Sequence, residues 1–237
     1  STILDIALDT DFESHEGYTR AFNKLFGTTP SRYRHGQVPI PLFVQYPIQH
    51  YYSYLKQKEI QEMENQSNTP QERESSQSIC TVTVIHKPAR KLLVMYAQKA
   101  HDYFSFCEEM SCEWEGLFNS IPNRLETAAL MTLPPSLHPE GTTETAAGVE
   151  LPEDIDITVP EGCTLLSLPP CDYLYFQSPP YEKEEDYCIA IESVFQASQI
   201  YRPERFGYAY APELAPSVNF GADTLTGGCI ALPVKKL

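Results

Sequence analysis

The sequence predicts an α+β protein, with a short helix-turn-helix piece followed by a duplicated domain of antiparallel strands and helices. Three observations carry this prediction. Residues 1–34 hold two helical runs joined by a tight turn; residues 65–78 contain no apolar residue; and from residue 79 the order strand, strand, helix, strand, strand is read twice.

The first helical run is Ile3-Leu4-Asp5-Ile6-Ala7-Leu8, with Asp9-Thr10-Asp11 as the turn. The second runs from Ser14 to Gly27. Ser14 can accept a hydrogen bond from a free N–H of the first turn, Gly27 tolerates the left-handed conformation that ends a helix, and Pro30 blocks continuation. Tyr18, Phe22, Leu25 and Phe26 recur on one face at the helical period. His15, Glu16, Thr19, Arg20, Asn23 and Lys24 take the opposite face. Prolines at 39 and 41 keep the next segment extended, and residues 49–65 are only loosely helical in pattern. The polar tract 65–78 cannot bury enough surface to offset its ordering entropy, so residues 44–78 are assigned as a linker between a module at 1–43 and a domain at 79–237.

In the domain, Cys80–His86 and Arg90–Tyr96 are β-rich runs around a short connection. A single helix is predicted from Asp102 to Ile121, since Tyr103, Cys107, Met110, Trp114, Leu117 and Ile121 form a continuous stripe. Strands are expected at Ala129–Leu133 and Thr143–Leu151. The second half follows with strands at Gly162–Leu168 and Asp172–Gln177 and a helix from Lys183 to Ile200. Strands at Phe206–Ala211, Ser217–Phe220 and Gly228–Val234 complete it. This pattern predicts two similar units sharing one antiparallel sheet with a helix under each half.

The N-terminal residues carry a dense resemblance. Ile6-Ala7-Leu8, Phe12-Glu13-Ser14, Tyr18-Thr19-Arg20-Ala21-Phe22, Lys24-Leu25-Phe26-Gly27, Thr29-Pro30-Ser31 and Arg34 resemble the second helix-turn-helix of AraC-type transcription regulators. Asp11 stands where that family usually has Gly; Asp also tolerates positive φ, so the turn can survive. The family's DNA-binding unit has two such motifs, and residues 1–34 match the second. The resemblance implies that Ser14, His15, Glu16, Thr19, Arg20, Asn23 and Lys24 meet base edges and phosphates. The plain alternative is a helical hairpin that merely packs.

Charge limits that role. The chain has 237 residues and a net charge of −15. Residues 1–43 hold four Lys or Arg against five Asp or Glu, residues 44–78 three against five, and residues 79–237 ten against 22. The acidity therefore belongs to the C-terminal domain, which is excluded as a general nucleic-acid surface, and the nearly neutral N-terminal piece is a weak DNA binder alone. DNA is expected as a partner of a complete regulator. The seven cysteines are odd in number and lack a Cys-x-x-Cys, which favours free thiols and a cytoplasmic setting over disulfides or zinc. No membrane span, no metal site and no cofactor are expected, and a homodimer is left open.

From about residue 79 the chain resembles the GyrI-like effector-binding domain, through Ala147-Gly148-Val149-Glu150, Val159-Pro160-Glu161-Gly162 and the closing Ile230-Ala231-Leu232-Pro233-Val234-Lys235-Lys236. The resemblance implies a pocket for amphipathic, often cationic, small molecules. Aromatic side chains suit such a pocket because their faces are broad, apolar and attractive to cations. Tyr96, Trp114, Tyr173, Tyr175, Tyr208, Tyr210 and Phe220 are the aromatic candidates, each with an ordinary core role as the alternative. Many family members place a Glu in the final strand where this chain has Cys229, which shifts the expectation toward a neutral or weakly polar ligand. Glu150, on a strand beside an expected kink at Gly148, is the leading substitute carboxylate; Glu113 and Glu115 flank Trp114 and are expected to face solvent. No catalytic residues are assigned, because no nucleophile elbow, phosphate loop or metal-spaced histidine pair is present. The reading is an effector-binding part of a transcription regulator. The alternatives are a GyrI-like hydrolase, with Glu150 and a tyrosine as base and acid, or a drug-sequestering protein.

Overall fold

The computed structural model describes residues 2–10, 12, 14–36, 38–40, 79–111 and 113–237. The predicted linker, the loose helix at 49–65 and the turn residue Asp11 lie outside the described residues. The chain divides into two compact units. Described residues 2–40, 89–129 and 138–169 form the first, and 79–88, 130–137 and 170–237 the second. Helices and antiparallel strands are mixed in an α+β arrangement, with nine strands among the described residues.

The first unit begins with helices α1 (Ile3–Asp9), α2 (His15–Phe26) and α3 (Pro30–Arg34). Thr2 caps α1 in a reciprocal box with Asp5. Ser14 caps α2 by accepting from the Gly17 N–H at 3.1 Å, and Gly27 ends it at φ 67°. Pro30 does more than stop α2: it is the first residue of α3, where its missing N–H costs nothing. Phe12, Tyr18, Phe22, Phe26 and Tyr33 form a chain of ring contacts 4.7–6.1 Å apart. Leu25, expected on that face, is instead 72% exposed. The buried Ile40 N–H donates to Ser120 Oγ at 2.8 Å, which fastens the extended segment after α3 to this unit.

The same unit holds a three-stranded sheet. Strand β2 (Arg90–Tyr96) is central, with β4 (Thr145–Pro152) and β5 (Thr164–Leu168) on either side. The predicted helix at 102–121 is broken. Helix α4 (Tyr103–Met110) ends at Ser111, which has φ 61°, and α5 (Glu113–Asn119) begins two residues later. Ser111 Oγ accepts from the Glu113 N–H at 3.3 Å, so a serine read as mid-helix competes for the backbone and starts a new helix. The buried positions shift accordingly, to Phe106, Cys107, Trp114, Gly116 and Phe118. No kink occurs at Gly148; β4 pairs with β2 in unbroken register from Pro152 to Ala146.

In the second unit β1 (Thr81–Lys87), β6 (Cys171–Gln177), β9 (Gly227–Lys236), β8 (Ser217–Asp223) and β3 (Ala129–Thr132) run in that order, with β7 (Tyr208–Tyr210) also on β9. Helix α6 (Tyr187–Ile200) covers one face. Val194 packs there with Leu174, Phe176, Ile230 and Val234, each fully buried and each contributing about 1.5–3 kcal/mol. Gly228 lets β9 pass α6, since a Cβ there would lie 2.6 Å from the Ala190 carbonyl oxygen.

The two sequence repeats do not correspond to the two units. Strand β1 pairs with β6, and β2 with β5. The connections after β1 and β5 are Pro88-Ala89 and Pro169-Pro170. A two-residue hairpin wants positive φ at its centre, which proline forbids, so neither pair of successive strands folds back on itself. No helix among the described residues is long and apolar enough to cross a membrane.

Candidate functional site

Register decides which of the predicted residues share a face. Directly paired residues in an antiparallel sheet project to the same side, and neighbours along a strand to opposite sides. In the second unit Lys87 pairs with Cys171, Ile85 with Tyr173 and Thr83 with Tyr175. Across β6, Tyr173 pairs with Pro233, Tyr175 with Ala231 and Gln177 with Cys229. Lys87, Tyr173, Tyr175 and Cys229 therefore share one face. Phe220 joins them, stacking on Tyr175 at 5.8 Å and 20°, and Tyr173 meets Tyr175 at 6.5 Å.

Tyr208 and Tyr210 lie on the other face. They pair with Lys236 and Val234, and Val234 points toward α6. Tyr210 donates its hydroxyl proton to the Ser198 carbonyl oxygen at 2.9 Å, and burial pushes its phenol up to about 12. Both tyrosines pack on the helix-side core. The expected aromatic set thus divides between two faces, Tyr173, Tyr175 and Phe220 being brought together.

That group holds a residue the sequence analysis did not single out. The Lys87 ammonium lies 5.0 Å from the Tyr173 ring centroid, 5.4 Å from Tyr175 and 5.8 Å from Phe220, and the residue is only 6% exposed. Tyr173 is fully buried and anchored by its hydroxyl, which donates to the Pro216 carbonyl oxygen at 3.0 Å. Each ring presents its negative face to the ammonium, and desolvation strengthens such contacts to about 2 kcal/mol. No local signal marked it: alternation along β1 sets Lys87 with Thr81 and Thr83, on the polar side of the strand, and Ile85 between them is exposed.

In the first unit Glu150 is buried, and its Oε1 lies 2.8 Å from Arg90 Nε, both side chains being almost fully enclosed. Arg90 Nη1 also donates to the Pro169 carbonyl oxygen at 3.2 Å. The carboxylate proposed for a cationic ligand thus has a resident cation beside it. Register places Arg90, Glu150 and Tyr96 on one face of the β4-β2-β5 sheet. Burial raises the Tyr96 phenol, opposed by a hydrogen bond with Thr164. Trp114 is 4% exposed, edge-on to Tyr103 and Phe106, and its buried Nε1 has no hydrogen-bond partner. Glu113 is exposed as expected, but Glu115 is half-buried and burial raises its carboxyl. Glu109, also unremarked in the sequence, accepts from the N–H groups of Gln98, Lys99 and Ala100 at 2.7, 3.0 and 2.7 Å.

A groove of about 560 Å³ opens on the helix-side face of the second unit, where Val84, His86, Asp172, Tyr208 and Lys236 line it. His86 Nδ1 and Asp172 Oδ1 are 2.7 Å apart within it. On α2, His15, Glu16, Arg20, Asn23 and Lys24 are exposed, Ser14 is the cap, and Thr19 is half-buried with an unpartnered Oγ1. Cys80, Cys163 and Cys188 are free thiols, and burial pushes Cys163 up to about 11.

No family model and no curated protein matches the sequence. Solved structures do. One is SAV2435 bound to tetraphenylphosphonium, at 12% identity and TM-score 0.44 over 65% of this chain and 94% of that one. A second is EcmrR in a DNA complex, at 11% and 0.40 over 100% of this chain and 78% of that one. A third is a hydrolase from Listeria innocua, at 10% and 0.34 over 74% and 98%.

Proposed function

We propose that this chain is the effector-binding part of an AraC-type transcription regulator, whose GyrI-like domain takes an amphipathic or aromatic small molecule and thereby modulates DNA binding. The observation that carries the ligand reading is the gathering of Tyr173, Tyr175 and Phe220 on one sheet face, with Tyr175 and Phe220 only half-buried. Rings left partly open beside fully buried neighbours offer stacking area without the cost of opening the core. The DNA reading is supported by the capped helix α2, whose polar face is exposed, and by its sequence resemblance. The effector acts by differential affinity for the DNA-competent and incompetent states of the complete, cytoplasmic regulator.

The test is a panel of neutral and charged aromatic compounds scored by thermal shift. A ligand at a hundred times its Kd stabilises by about 2.7 kcal/mol, a rise of roughly 5–10 °C for a chain this size. Tyr175→Ala should remove the shift. No shift from any aromatic compound sinks the ligand reading. For DNA, fluorescence anisotropy on random-sequence duplex at physiological salt should show this chain binding weakly or not at all; tight binding would contradict the charge argument.

A further inference from the structure

The three rings around Lys87 have the composition of a cation cage, and the cage is already filled by a side chain of the protein. Ammonium-to-centroid distances of 5.0, 5.4 and 5.8 Å all fall within the range at which a ring quadrupole attracts a cation. Tyr173 is fixed by its bond to Pro216, Tyr175 by edge contact with Tyr173, and Phe220 by stacking on Tyr175. The rings are therefore preorganised, and the stem of Lys87 enters from the same sheet face as β6's tyrosines. We propose that Lys87 is a specificity-determining residue: its ammonium occupies the Tyr173–Tyr175–Phe220 cage as a tethered cation and closes it to cationic ligands.

This deepens the ligand reading above and rests on it for the wild-type chain. A free cation entering the cage must displace an ammonium whose effective concentration is set by a covalent tether, and it meets like-charge repulsion while doing so. A neutral aromatic molecule stacking on the half-buried edges of Tyr175 and Phe220 faces neither penalty. Aromatic content alone, which in the sequence suggested an appetite for cations, here carries its own counter-argument.

The experiment uses the whole chain and two isosteric probes, phenyltrimethylammonium and neutral tert-butylbenzene, with binding measured by calorimetry. Wild-type protein should favour the neutral probe. Lys87→Ala, which empties the cage, should reverse the preference to at least about tenfold in favour of the cation. Lys87→Met, which refills the space without charge, should not gain the cation. Equal or better binding of the cation by wild-type protein overturns the proposal, and needs no variant. Failure of a folded Lys87→Ala chain to gain the cation overturns it too. Absence of both probes from wild-type protein counts instead against the ligand reading, and the preference of Lys87→Ala then still decides the role of Lys87.

Discussion

Each unit buries a cation on its sheet, one beside a carboxylate and the other beneath aromatic ring faces. In the first, the Arg90 guanidinium meets the Glu150 carboxylate at 2.8 Å with both side chains enclosed. In the second, the Lys87 ammonium lies over three ring faces at 5.0–5.8 Å. An enclosed ion pair strands a charge when one partner is lost; an ammonium over rings is weakly directional, and a differently shaped cation can replace it. The first arrangement suits a fixed scaffold and the second suits a site where occupants are chosen.

The sharpest way to break this contrast is through the ion pair. Glu150→Gln should cost about 3–5 kcal/mol in urea denaturation by leaving Arg90 enclosed beside a neutral amide, whereas the double change Arg90→Met with Glu150→Leu should recover most of the loss. If the single change is silent, the pair is not structural. In the second unit, Tyr173→Phe should cost about 1–2 kcal/mol by leaving the Pro216 carbonyl oxygen without its donor. The same variant should keep the preference for the neutral probe, because the ring face remains.

Two carboxyls on the helices of the first unit should respond oppositely to pH. Burial works against ionised Glu109, but the N–H groups of Gln98, Lys99 and Ala100 outweigh it and hold the carboxyl below its usual range. Its contribution is therefore present above the unfolded value and lost as pH falls through the folded one. Glu109→Gln should cost about 1 kcal/mol at neutral pH after solvent screening, and less in acid. Glu115 is raised by burial, so it favours the fold below its unfolded value and loses that benefit as pH rises through the folded one. Glu115→Gln should accordingly be neutral to slightly stabilising at pH 7, by up to about 1 kcal/mol, with the gain fading in acid. Smallest of all, Leu25→Ser should change stability by less than about 0.5 kcal/mol, since the side chain is 72% exposed.

Local chemistry was legible in the sequence. Ser14 and Gly27 cap α2 where expected, and β2 occupies the predicted run Arg90–Tyr96. The break at Ser111 was not legible, because the apolar stripe continues at helical spacing straight across a residue whose φ is positive. Within each strand, alternation correctly put Tyr173 with Tyr175 and Tyr208 with Tyr210. Whether the two pairs meet depends on how β7, β9 and β6 are registered, a long-range matter that no single strand encodes. Lys87 and Arg90 escaped notice for a related reason. Both flank a Pro-Ala connection, where a cation ordinarily signals solvent, and only tertiary pairing encloses them.

The proline connections after β1 and β5 have a consequence during synthesis. Because β1 cannot fold back on β2, its partner is β6, and the Thr81–Gln177 contact closes a separation of 96 residues. At about 5–20 residues per second, β1 leaves the ribosome roughly 5–20 s before the strand that completes it. Its Thr-Val-Thr-Val-Ile sequence is β-branched throughout and uncharged through that interval. A nascent chain at this stage presents an unpaired strand to every neighbouring chain, so β1 is where crowding and chaperone supply should determine how much protein reaches its native state.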